Sequence, residues 1–298
     1  MVSDWFHHWN SNGGCLGTIY WKIIGASMDN LTGSVLHKLK GLTRGQCDEI
    51  APRGAILVGY RGSVAHGTYT PTYDKSEHDD KDIMGVFLGP LEHYLGLTQV
   101  KTQEKMIRGK DGVLWDSVFY ELRKFISLLL KSNPNVMSLL WLPEHLYIHV
   151  SPIGQKLIDN RDIFASKQAY HSYSGYAYSQ LKRMTHVNSS DLGAKRKELV
   201  ARFGFDTKNA GHLIRLLREG IEFLTDGEIH VVREDASELK EIKNGEWTLE
   251  AVVTQATRLF DLAQKAYINS PLPPKPDFHK AEGLLAGILA EHLRIEVS

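Results

Sequence analysis

The chain has 298 residues, 42% of them hydrophobic, which is enough for one or two domains with a sizeable core. Its 35 basic and 35 acidic residues cancel, which argues against a large nonspecific nucleic-acid footprint and leaves room only for a local basic groove. Two cysteines, Cys15 and Cys47, exclude a disulfide framework and a cysteine-rich zinc site and fit a reducing cytoplasm, and no apolar run reaches the length of a membrane span.

Residues 1–27 contain Trp5, Phe6, His7, His8, Trp9 and a Gly13-Gly14-Cys15 break, without the basic start and apolar core of an export signal. They read as a poorly ordered N-terminal extension, with a packed arm as the alternative. From Met28, the spacing of Leu31, Val35, Leu36, Leu39 and Leu42 predicts an amphipathic helix. Strands are predicted at about 55–60, 82–88, 100–108 and 112–119, the last two joined by an Asp111-Gly112 hairpin turn. A helix from Glu121 to Lys131 carries Leu122, Phe125, Ile126, Leu129 and Leu130 on one side and is closed by Asn133-Pro134.

After Pro152 the pattern turns mostly helical, over 153–164, 167–184, 193–203 and 206–224. A further amphipathic helix holds Val252, Ala256, Leu259, Phe260 and Ala263. The proline-rich stretch 270–276 then makes a stiff connector to a last apolar helix, 281–293, which docks on the body or serves a dimer contact. The expected organisation is α+β: a domain over 28–150 with a small sheet and flanking helices, then a helical domain over 151–298.

Two short motifs carry chemistry. In Asp80-Lys81-Asp82, at the start of an apolar strand, the period of two sends both carboxylates out on one face, where their repulsion is tolerable with a divalent cation between them. Hard oxygen ligands of this kind suit Mg²⁺ or Mn²⁺ that also holds substrate phosphates. Upstream, the apolar run 55–60 ends in Arg61-Gly62-Ser63, a turn that aims backbone N–H groups and a hydroxyl at one point. Each motif alone is common; strand, Gly-Ser turn and Asp-x-Asp strand in that order are far more specific.

That ordered set resembles the DNA polymerase β nucleotidyltransferase superfamily. The gap from Ser63 to Asp80 is longer than is usual there, and its polar, proline-containing residues 69–78 read as a loop at the rim of the site. Phe119-Tyr120-Glu121-Leu122-Arg123-Lys124-Phe125, Asn133-Pro134-Asn135-Val136, Gly193-Ala194-Lys195-Arg196-Lys197 and the stretch 206–217 are similar to the predicted nucleotidyltransferases of the RlaP or YcgL type, whose members are proposed to act in RNA repair or end modification and often occur in phages. The resemblance implies the polymerase β-like fold, an NTP substrate, two Mg²⁺ or Mn²⁺ ions and an RNA acceptor. It also implies a third carboxylate on a later strand. Asp116 is the acidic residue inside a predicted strand; Asp111 suits a turn and Glu121 a helix start.

On the long helix 206–224, Ala210, Leu213, Ile214, Leu217, Ile221 and Leu224 form a core stripe, and Lys208, His212 and Arg215 line the other side. They suit a triphosphate, as do Lys195 and Arg196, or they decorate a solvated face. Arg61 and His66 flank the Gly-Ser turn, and His66 either meets phosphate or packs under the loop. Tyr170, Tyr173 and Tyr176 are spaced for helix packing, with base stacking by these or Tyr178 the minority reading. A protein or small-molecule acceptor, a non-catalytic nucleotide or RNA sensor, and a phosphohydrolase or glycosyltransferase are the alternatives; the last two do not account for the Gly-Ser turn.

Overall fold

The computed structural model describes residue 39 and residues 41–70, 80–185 and 194–293. The predicted extension over 1–27, most of the helix predicted after Met28 and most of the loop 69–78 lie outside the described residues.

The first helix, α1 (Arg44–Ile50), begins at a capping box in which Thr43 and Gln46 satisfy each other's backbone N–H groups. Strand β1 (Ala55–Arg61) runs into a single helical turn, α2 (Gly62–Ala65). After β2 (Lys81–Phe87) and α3 (Leu91–Leu95), strands β3 (Gln103–Arg108) and β4 (Leu114–Glu121) form the predicted hairpin. Gly112 takes a φ of +82° in its turn, and the Val113 N–H donates to Asp111 Oδ1 at 3.1 Å. Asp111 is thus a turn residue. Glu121 caps α4 (Leu122–Leu129), accepting from the N–H groups of Arg123 and Lys124, so the second rival to Asp116 is a helix start.

A short α5 (Pro134–Met137) and 3₁₀ turns lead to β5 (Tyr147–Val150), a strand not foreseen from sequence. The rest is helical: α6 (Pro152–Asp159), α7 (Gln168–Thr185), α8 (Ala194–Phe203), α9 (Thr207–Asp226), α10 (Ala236–Lys243), α11 (Leu249–Asn269) and α12 (Phe278–Leu293). The predicted helix 153–164 divides into α6 and a 3₁₀ turn, Arg161–Phe164. α12 docks on the body, its His292 Nε2 3.1 Å from the Gly89 carbonyl.

The five strands form one mixed sheet in the order β3-β4-β2-β1-β5, parallel only between β2 and β4. The strand period of two sorts its side chains. Ile83, Phe87, Trp115 and Phe119 pack with Val58 against Cys47 and Ile50 of α1. Met84, Val86, Val118 and Leu57 face the other way, into a larger core shared with α7, α9 and α11 through Tyr173, Leu213, Leu217, Val252 and Ala256. The second core crosses residue 150 without a break. Of the predicted stripe on α9, Ala210, Leu213, Ile214, Leu217 and Leu224 are buried and Ile221 is half-buried.

Candidate functional site

Register brings the chemistry together. Arg61 pairs with Asp82 across the antiparallel β1–β2 ladder, and Asp82 pairs with Asp116 across the parallel β2–β4 ladder. Directly paired residues project from the same face of a sheet, so three strands present one row, Arg61–Asp82–Asp116. The Asp82 position shares a face with Met84 and Val86, the face that the helical half covers further along. The row therefore lies on the sheet face that the helical half covers further along, with 24–33% of each side chain exposed.

Within the row, one guanidinium nitrogen of Arg61 lies 3.4 Å from Asp116 Oδ2 and 4.0 Å from Asp82 Oδ1. Burial pushes the Asp82 carboxyl from its ordinary 3.8 up to about 6; Arg61 pulls it down, Asp116 pushes it up, and Lys208 and Asp80 act down and up in turn. Asp80, one residue before β2, is thus near enough to be felt, and so is Lys208 from the first turn of α9.

Gly62 begins the turn with a φ of +61°, and a β carbon there would stand 2.1 Å from Asp82 Oδ2. Only glycine lets the chain turn against that carboxylate. The carbonyls of the turn are used internally, Gly62 by the His66 N–H at 3.0 Å and Ser63 by the Thr68 N–H at 2.9 Å. Its leading N–H groups have no partner within a single helical turn.

His66 is buried. Its Nδ1 is 3.0 Å from the Val231 carbonyl and 3.6 Å from Glu219 Oε1, and its carbonyl accepts from the Arg233 N–H at 3.4 Å. Burial first, then the charge of Arg215, holds its imidazole well below the usual 6.5. It packs under the loop and ties the Gly-Ser turn to the helical half. Lys208 and His212 are exposed. Although solvent reaches His212, protein crowds it on its other sides; that desolvation, with the charges of Arg215, Lys208, His66 and Arg196, lowers its pKa. Accessible surface decides what a ligand can touch, so His212 is open to one beside Lys208.

Arg215 departs from the predicted exposed row. It reaches both oxygens of Glu219, at 2.9 and 2.8 Å, and its side chain is 13% exposed. Sequence reasoning missed Glu219, a buried carboxylate shared by Arg215 and His66; its spacing of four from Arg215 was the available signal. Arg196 Nη1 is 3.6 Å from Asp206 Oδ2, the buried cap of α9. Lys195 belongs to α8, but its side chain lies outside the described residues. Among the aromatics, Tyr173 is buried, Tyr170 stacks on Tyr267 at 4.7 Å and Tyr176 accepts from Asn133 Nδ2 at 2.8 Å, all packing roles, while Tyr178 is exposed.

Residues 52–254 match the family described as RlaP, the RNA repair pathway DNA polymerase beta family, a span of more than half the chain. The chain belongs to this family. A solved nucleotidyltransferase-like protein from Exiguobacterium sibiricum is similar at 11% identity over 82% of this chain and 76% of that one; its TM-score of 0.27 carries no argument. None of the curated proteins matches the chain. For an RlaP-family chain the question is whether its acids suit a divalent ion. Among the described residues no group of three or more His, Cys, Asp or Glu side chains is gathered to hold a metal. The pair Asp82 and Asp116 nevertheless supplies hard oxygen donors in register, already drawn to a cation in Arg61, so the donor set fits such an ion. No described helix is long and apolar enough to cross a membrane.

Proposed function

We propose that this RlaP-family chain transfers a nucleoside monophosphate from an NTP to a hydroxyl group at an RNA end, releasing pyrophosphate. The observation that carries the reading is the row Arg61–Asp82–Asp116 abutting the Gly62-Ser63 turn. Asp82 and Asp116 would hold Mg²⁺ or Mn²⁺, with Asp80, one residue before β2, as a further ligand for a second ion once substrate phosphates draw the acids together; such ions would supply Lewis-acid polarisation of the α-phosphate and offset the charge of the leaving pyrophosphate. The Ser63 hydroxyl and the turn N–H groups, with Gly62 permitting close approach, take up the β- and γ-phosphates. Lys208 and His212 border them from α9, with Arg196 on α8 as a further cation. Arg215 is neutralised by Glu219 and serves with His66 to hold the turn against α9. Asp116, on the outer side of the pair, draws the proton from the attacking hydroxyl as its oxygen bonds the α-phosphorus and the bond to the bridging oxygen breaks.

The test is incubation of purified protein with Mg²⁺, each α-labelled NTP and total cellular RNA, with parallel protein and small-molecule acceptors. Label should enter RNA, and Asp82→Ala and Asp116→Ala should each lower incorporation by on the order of 10²-fold or more while near-UV circular dichroism is kept. Equal incorporation by parent and variants would sink the proposal. A nucleotide sensor without turnover is the second reading, favoured by the Arg61 guanidinium between the two acids; tight nucleotide binding without pyrophosphate release would decide for it.

A further inference from the structure

We infer that Arg61 is an exchangeable counter-ion for Asp82 and Asp116: it holds the carboxylate pair while nucleotide is absent and gives it up when a nucleotide–metal complex arrives. The inference rests on the reading of these acids as divalent-ion ligands and deepens it by naming what regulates the site.

Four observations carry it. Arg61 is the last residue of β1, and its register opposite Asp82 leaves the guanidinium among the carboxylates rather than over the neighbouring turn. Its grip is loose. A single nitrogen serves both acids at 3.4 and 4.0 Å, where a committed arginine–carboxylate pair makes two parallel bonds near 2.8 Å, close to what the two terminal nitrogens of Arg218 attain with Glu238 in this same chain, 3.0 and 2.9 Å. The three side chains retain 29%, 24% and 33% of their exposure, so the guanidinium can leave without carrying a charge through the core. Finally, the turn proposed for phosphate begins at the very next residue, Gly62, so an arginine released from the acids has an anionic partner within reach.

The chemistry is competition between cations. A guanidinium is always charged and brings one positive charge; a divalent ion brings two and bonds the oxygens directly. Without nucleotide, Arg61 lowers the affinity of the acids for a bare ion. Triphosphate oxygens bound at Gly62-Ser63 draw Arg61 away, so nucleotide and metal bind with positive coupling, which must be reciprocal. The acids are thereby kept from binding metal ions idly.

Mn²⁺ titration followed by electron paramagnetic resonance tests this, with Mn²⁺ alone as the probe and then with a non-hydrolysable α,β-methylene nucleoside triphosphate. Arg61→Ala and Arg61→Gln should bind Mn²⁺ about tenfold more tightly than the parent without nucleotide, since one competing charge has gone. The analogue should then raise their Mn²⁺ affinity less than it raises the parent's. Arg61→Lys, which keeps the charge, should stay near the parent. Unchanged or weaker Mn²⁺ binding in both neutral variants would overturn the inference, as would a lysine variant as tight as the neutral ones, or no Mn²⁺ site in any protein. Tighter binding in the neutral variants without any nucleotide transfer by the parent would remove the proposed reaction and leave the exchange standing; transfer with unchanged Mn²⁺ affinity would do the reverse.

Discussion

Two demands meet at Gly62: a left-handed backbone and a carboxylate oxygen where a β carbon would go. Gly62→Ala should therefore lower stability by about 1–2 kcal/mol from the backbone alone, with more from the displaced Asp82, and urea unfolding measures the loss. Its nucleotide affinity should fall with it. His66 makes a different prediction. Its imidazole is held well below 6.5 in the folded chain, so as pH falls below 6.5 the unfolded chain takes up a proton that the native one refuses. Stability from this group is thus full above 6.5 and lost on acidification. His66→Gln should flatten the pH dependence of the unfolding midpoint between pH 7 and 5; an unchanged slope would assign the acid loss to other groups.

Elements hold these residues in place by ordinary means. α9 presents a buried apolar stripe to the sheet side and to α7 and α11, and the two buried Asp206 oxygens bond the Asn209 backbone and side chain at its start. Leu213 is fully buried in that stripe, so Leu213→Ala should cost about 2–5 kcal/mol in chemical denaturation, and the loss should carry Lys208 and His212 out of line with Asp82. A second element-scale device ties the segment after α9 back to it. Arg233, with 4% of its side chain exposed, is held by Glu222 and by Asp235, while Arg218 spans Asp235 and Glu238. Glu222→Ala leaves the buried Arg233 with Asp235 as its remaining carboxylate, so it should destabilise by about 1–3 kcal/mol in the same assay. Neither arginine was singled out in the sequence, because three of these pairs are separated by 11 to 20 residues and leave no periodic trace.

At the scale of the molecule, one large core runs from the sheet into the helices through Met84, Val118, Tyr173 and Leu213. Buried residues from both sides of residue 150 belong to that one core. Calorimetry should accordingly find a single cooperative transition, with calorimetric and van't Hoff enthalpies equal; two resolved transitions would speak for halves that fold independently.

Local chemistry was legible in the residues themselves. The period of two in β2 and β4, the Asp111-Gly112 turn, the proline and asparagine ending α4 and the apolar stripe of α9 are short-range patterns written by backbone geometry, and they located four of the five strands and the main helices. β5 escaped because its four residues are all half-buried and it exists by pairing with β1, far away in the chain. The sequence by itself determined on which elements the acidic and cationic residues ride. Tertiary structure alone decided that Asp116 stands opposite Asp82, that Arg61 lies between them, that His66 turns inward and that Arg215 spends its charge on Glu219. Those outcomes depend on strand register and on packing between distant segments, where Coulomb attraction and burial act across space rather than along the chain.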